Sequence, residues 1–223
     1  MRQARAVVAA VCVLIAGCTT TSNAEPPEPT PTLIPRPVVE RELDALLLNP
    51  LEASAAMRAP MILTESRTDM VDNSAIMTPP ECLAIDGAAE APVYTNSKFR
   101  AERDQSFTNG DTFTHYLKQA VILFPYRKPA EDFFASAVAQ WPACHEYTHT
   151  QSGSRWVVGE ITNNNDTLST VSTQQEAAAP GWACGRALAV RNNVVIDVNT
   201  CSADPADSAV RIADQIGAKV LAR

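Results

Sequence analysis

The chain has 223 residues, 46% of them hydrophobic, and a formal net charge of −7 from 18 basic and 25 acidic side chains. That length supports one domain with a sizeable core, and the acidic balance leaves no electrostatic footprint for nucleic acid. Nothing in the composition calls for a cofactor.

In chain order, Arg2 and Arg5 precede the apolar run 6–16, too short to span a bilayer and therefore expected to be a signal sequence. It ends Leu14-Ile15-Ala16-Gly17-Cys18, which resembles the lipobox of bacterial lipoproteins. The resemblance implies removal of residues 1–17, acylation of Cys18 and anchoring on the outer face of the cytoplasmic membrane. Residues 18–37 hold six prolines between Pro26 and Pro37 and read as an extended tether. The folded domain is expected over 38–223.

Within that domain, helical spacing of Val39, Leu43, Leu46 and Leu47 predicts a helix over 38–48, and a second turn of helix follows Asn49-Pro50. Residues 61–63 read as a short strand and 78–83 as a short helix begun by prolines. Strands are expected at 99–107 and 113–124, either side of the Asn109-Gly110-Asp111 turn, then a helix over 129–141 with Phe134, Val138 and Trp141 on its apolar stripe. Strands at 144–151, 155–161 and 167–175 form a meander, and a closing helix starts from Asp204 and Pro205 with Ala209, Ile212, Ala213, Ile216 and Val220 on one face. Strands gathered between helices give an α+β fold around a largely antiparallel, twisted sheet.

The stretch 181–201 organises the rest. Two β-rich runs flank Asn192-Asn193, which suits a two-residue turn because Asn accepts positive φ. Centring the turn there sets Cys184 opposite Cys201 on a non-hydrogen-bonded pair, about 4.5 Å between Cα atoms and within disulfide reach. With Cys12 lost and Cys18 acylated, that register leaves Cys82 to pair with Cys144. One face of the hairpin carries Ala187, Ala189, Ile196 and Val198 and suits a packed helix. The other mixes Leu188, Val190 and Val195 with Arg186, Asp197 and Asn199, expected as a surface polar cluster beside a groove.

The runs 81–89, 113–125, Gln140-Trp141-Pro142-Ala143-Cys144, 147–153 and 181–220 resemble the extracytoplasmic sensor domain of mycobacterial serine/threonine protein kinase H. The likeness covers about residues 40–222, and the chain is similar to free-standing lipoproteins that carry this domain, with neither kinase domain nor transmembrane helix expected. The resemblance implies a central sheet with flanking helices, a wide cleft suited to a ligand, and two disulfides paired as above.

His145-Glu146-Tyr147-Thr148-His149 matches the zinc-peptidase pattern, whose metal site needs both histidines on one helix face. Here the neighbours are strand-like, which would separate the two histidines by about 13 Å, so no metal site is expected. A serine–histidine dyad from His115 or His149 with Ser106, Ser152 or Ser154 is conceivable, but no nucleophile elbow surrounds any serine. Trp141 and Trp156 read as core and Trp182 as a cleft edge. The candidate ligand contacts are Arg186, Asp197, Asn199, Tyr147, His149 and Trp182. The functional expectation is a lipid-anchored envelope protein that binds a small ligand, cell-wall fragment or partner protein without catalysis. An envelope hydrolase is the alternative.

Overall fold

The computed structural model describes residues 35–223; the expected signal, Cys18 and all but the last residues of the tether lie outside the described residues. Its elements are α1 (Pro50–Met57), β1 (Ile62–Arg67), β2 (Met77–Thr78), α2 (Leu83–Asp86), α3 (Ala91–Tyr94), β3 (Ala101–Thr108), β4 (Tyr116–Leu123), α4 (Arg127–Gln140), β5 (Glu146–His149), β6 (Arg155–Val158), β7 (Thr162–Asn164), β8 (Thr167–Gln174), β9 (Ala183–Arg191), β10 (Val194–Ser202) and α5 (Ser208–Leu221). The ten strands form one antiparallel sheet in the order β1-β3-β4-β10-β9-β8-β6-β5-β2, with β7 paired to β8.

The β9–β10 hairpin lies inside this sheet with the expected register, from Val194 opposite Arg191 to Cys201 opposite Cys184. Asn192 takes the left-handed conformation at φ 52°. The Cys184–Cys201 disulfide spans 4.1 Å between Cα atoms, and Cys82–Cys144 spans 5.0 Å. Side chains alternate across the strands and divide the core in two. On one face Ala187, Ala189, Ile196 and Val198 meet Ala209, Ile212, Ala213, Ile216 and Val220 of α5, with α1 and the leucines of 43–48 beside them. On the other, Leu188, Val190, Val195 and Ile122 lie in a cluster with Phe134, Ala137 and Trp141 of α4 and its end, and with Leu83, Ile85 and Tyr94 of α2 and α3.

Three local expectations are corrected. Residues 38–48 form a short 3₁₀ turn, Glu40–Glu42, and further turns instead of an α-helix. Leu43, Leu46, Leu47 and Leu48 are all buried, which no single helix stripe allows, and the segment's backbone is held by side chains: Gln119 binds the Leu48 N–H and carbonyl at 3.0 and 2.8 Å. Helix α5 starts at Ser208, because Ala206 is left-handed at φ 43°, and the Ser208 hydroxyl lies 2.7 Å from Thr200 Oγ1. Strand β7 falls between the strands expected at 155–161 and 167–175, where none was expected. Asn165 and Asp166, at φ 51° and 55°, make the two-residue turn that joins it to β8.

Asn193 closes the hairpin tip onto the rest of the fold. Its side-chain oxygen accepts from Val38 N at 2.8 Å, and its amide donates to the carbonyls of Val38 and Phe124 at 3.0 and 2.9 Å. Each such buried bond is worth about 1 kcal/mol net. Asn193→Ala should therefore cost about 3 kcal/mol and lower Tm by roughly 6–12 °C at this chain length; calorimetry finding Tm unchanged would show that the clamp carries no weight.

Candidate functional site

The second sheet face is crossed by residues 83–90, a strap fixed at its start by the Cys82–Cys144 disulfide, which joins it to the corner between α4 and β5. Too short for more than one helical turn, the strap spends its backbone groups on side chains from the sheet. Arg186 donates to the carbonyls of Ala84 and Gly87, both at 2.8 Å, and to Val198 O at 2.8 Å. Asp197 accepts from Ala89 N at 2.9 Å and from the Tyr94 hydroxyl at 2.8 Å. Arg186 Nη1 lies 2.5 Å from Asp197 Oδ1, and each side chain is only 2% exposed. The guanidinium also lies 5.5 Å from the centre of the Trp141 ring.

The surface cluster expected from Arg186, Asp197 and Asn199 is thus overturned: all three are buried, because the strap, from a part of the chain about a hundred residues earlier, covers them. Asn199 Nδ2 reaches Asp86 O at 3.4 Å. His149 Nε2 lies 2.7 Å from Asp86 Oδ1, and Tyr147 stacks on Trp156 with 5.9 Å between ring centres. Four of the six candidate residues therefore bond to one strap, and Tyr147 lies beside His149, 5.7 Å between ring centres. Trp182 stands apart from these contacts and packs beside Phe113, 6.4 Å between centres. The sequence reading missed the strap's own Asp86, whose only signal was its place inside a run of family likeness.

The His-Glu-x-x-His motif lies at the start of β5, a strand, with His145 exposed and His149 turned to Asp86. Among the described residues no group of three or more His, Cys, Asp or Glu side chains is placed to hold a metal. His115 Nδ1 lies 3.1 Å from Thr114 Oγ1, and its side chain has no other hydrogen-bond partner among the described residues. His149 does meet a serine: Ser154 Oγ lies 3.4 Å from its Nδ1 and accepts from Trp156 Nε1 at 3.2 Å.

A groove of about 440 Å³ opens on the outer side of the same segment. One wall is Ala84 and residues 93–98; the other is α4, with Phe133, Gln140 and Trp141. Ala84 and Trp141, both touched by Arg186, belong to the groove as well, so the buried ion pair reaches both of its walls.

Elsewhere on this face, Glu102 and Asp104 of β3 are 2% and 0% exposed, and none of their carboxylate oxygens meets a donor among the described residues. Lys118 Nζ, 3.8 Å from Asp104, is the nearby cation. Burial first, and the Asp104 charge second, push the Glu102 carboxyl up to about 8. The folded state then holds a proton that the unfolded chain releases from 4.5 upward, so stability falls as pH rises between 4.5 and about 8. His149 acts in the same direction: its hydrogen bond to Asp86 raises it, burial opposes, and the Asp86 charge adds. That contribution is full below 6.5 and is lost as pH rises through the higher folded value.

Denaturation across pH separates the two groups. Glu102→Gln should gain about 2 kcal/mol above pH 8 and flatten the slope beginning at 4.5. His149→Gln should lose stability below 6.5 and converge with the native protein at alkaline pH. Slopes unchanged in both variants would contradict these assignments.

The sequence profile described as PknH-like extracellular domain matches residues 38–219. Serine/threonine-protein kinase PknH of Mycobacterium bovis is 32% identical over 218 residues, 95% of this chain and 36% of that protein. PknH of Mycobacterium tuberculosis is 32% identical over 198 residues, 86% of this chain and 31% of that protein. The chain spans about a third of the length of these relatives. The crystal structure of the extracellular domain of PknH from Mycobacterium tuberculosis matches with a TM-score of 0.79 at 31% identity, covering 84% of this chain and 99% of that one. Matched in sequence and in fold across nearly all of its described domain, this chain belongs to the family of PknH-like extracellular domains.

Proposed function

We propose that the chain is a lipid-anchored receptor of the cell envelope. In this reading residues 1–17 are removed, Cys18 carries the lipid on the outer face of the cytoplasmic membrane, residues 18–37 are the tether, and 38–223 bind a ligand without turning it over. The ligand is a small molecule, a cell-wall fragment or a partner protein. The observation that carries the reading is the groove whose wall is the strap held by Arg186 and Asp197 in a domain of extracellular type. Arg186, Asp197, Asn199, Tyr147 and His149 act by setting the strap's position, and Trp182 offers a half-buried aromatic edge. No helix among the described residues is long and apolar enough to cross a membrane.

The full chain, extracted from membranes, should have the mass of residues 18–223 plus acyl groups, and Cys18→Ala should release it to the soluble fraction. In a thermal-shift screen against envelope glycans, lipids and small metabolites, one ligand class should raise Tm in a saturable manner. An unmodified amino terminus would refute the anchor, and a flat screen would refute small-ligand binding.

The Asp86–His149–Ser154 chain favours a second reading, a serine hydrolase. With Asp86 accepting from Nε2, the Nδ1 lone pair faces Ser154. A fluorophosphonate probe should leave Ser154 unlabelled if the receptor reading holds; covalent modification abolished by His149→Gln would establish the hydrolase instead.

A further inference from the structure

We propose that the groove between residues 93–98 and α4 is a saccharide site, sized for one or two sugar rings; this rests on the receptor reading above. Asn96 and Lys98 are both held at φ 65°, a conformation that non-glycine residues seldom adopt. Backbone bonds fix the loop in it, from Ser97 N to Tyr94 O at 3.1 Å and from Thr95 N to Pro92 O at 3.4 Å. The strained turn presents Asn96, Ser97 and Lys98 along one wall, and Gln140 stands among the residues of the other.

These four side chains have hydrogen-bonding capacity that the protein does not use. Asn96, Lys98 and Gln140 are exposed and make no side-chain hydrogen bond among the described residues, while Ser97 Oγ is closed to solvent without a partner beneath them. Two amides supply donors and acceptors together, with a hydroxyl and one ammonium. Phe133 lines the same wall as Gln140, its ring fixed by stacking on Tyr94 at 4.5 Å and 17°. Amides and a hydroxyl around an aromatic ring match a molecule with hydroxyls on its edge and C–H groups on its face.

Other ligand classes fit less well. A polyanion would meet one cation, Lys98, and also the carboxylate of Asp132. That carboxylate is paired with Lys128, which leaves it a poor seat for an amine. A purely apolar ligand would strip water from the amides of Asn96 and Gln140. The groove's 440 Å³ lies in the range of about 300–1,000 Å³ usual for small-molecule sites.

The test is titration calorimetry on the full chain in a zwitterionic detergent free of sugar headgroups, with cellobiose, N,N′-diacetylchitobiose and a glucuronic-acid-containing disaccharide as probes. Saturable binding of one of them is expected, weakened about tenfold or more in Asn96→Gly and in Gln140→Ala. Glycine takes φ 65° freely, so the first variant removes the amide while keeping the turn. Absence of binding by all three at millimolar concentration overturns the proposal, as does binding that both variants leave intact. If the sugars fail while the thermal-shift screen finds another ligand class, the saccharide assignment falls and the receptor stands; if both fail, both fall.

Discussion

The buried pair Arg186–Asp197 is the interaction on which the second face depends. Taking two charges out of water costs several kcal/mol per ion, and the pair is tolerable only where further hydrogen bonds complete it. Those bonds come from Ala84, Gly87 and Val198 carbonyls, the Ala89 amide and the Tyr94 hydroxyl. A segment with almost no repetitive structure is thereby tied to the sheet through side chains. Removing one charge would strand the other in the interior and free the strap in the same event.

The two faces of the sheet are built on different principles. Toward α5 the contacts are small residues against branched ones, non-directional and governed by volume. Toward the strap they are directional, and each bond names its partner: Asp86 for His149, Ala84 and Gly87 for Arg186, Ala89 for Asp197. The first face secures the fold, and the second fixes a shape at the surface. The disulfides follow the same division, Cys184–Cys201 locking the hairpin within the sheet and Cys82–Cys144 holding the strap to the α4–β5 corner.

Much of the first face was legible in the sequence because it is local. Asn192-Asn193 between two β-rich runs fixes the hairpin register, register fixes parity, and parity places Ala187, Ala189, Ile196 and Val198 opposite an amphipathic helix. The second face resisted because parity tells which residues share a side and not what lies above them. Arg186, Asp197 and Asn199 are as polar as a solvated patch, and the cover that buries them is a non-periodic segment distant in the chain. The helix expected at 38–48 failed for a related reason: the leucines carried a helical period, while Asn193 took the Val38 carbonyl and Gln119 the Leu48 N–H, groups that a helix would have used.

The clamp at the hairpin tip has a mechanical meaning. Asn193 holds Val38, and Asn192 Nδ2 donates to Arg36 O at 2.6 Å, so the chain enters the domain at the tip of β9–β10. A pull on the N-terminal side would load that tip, and β10 behind it is hydrogen-bonded to β4 and β9 on either flank. The same strand carries Asp197 in its middle. The point of entry and the ion pair that positions the strap are thus joined by a single strand.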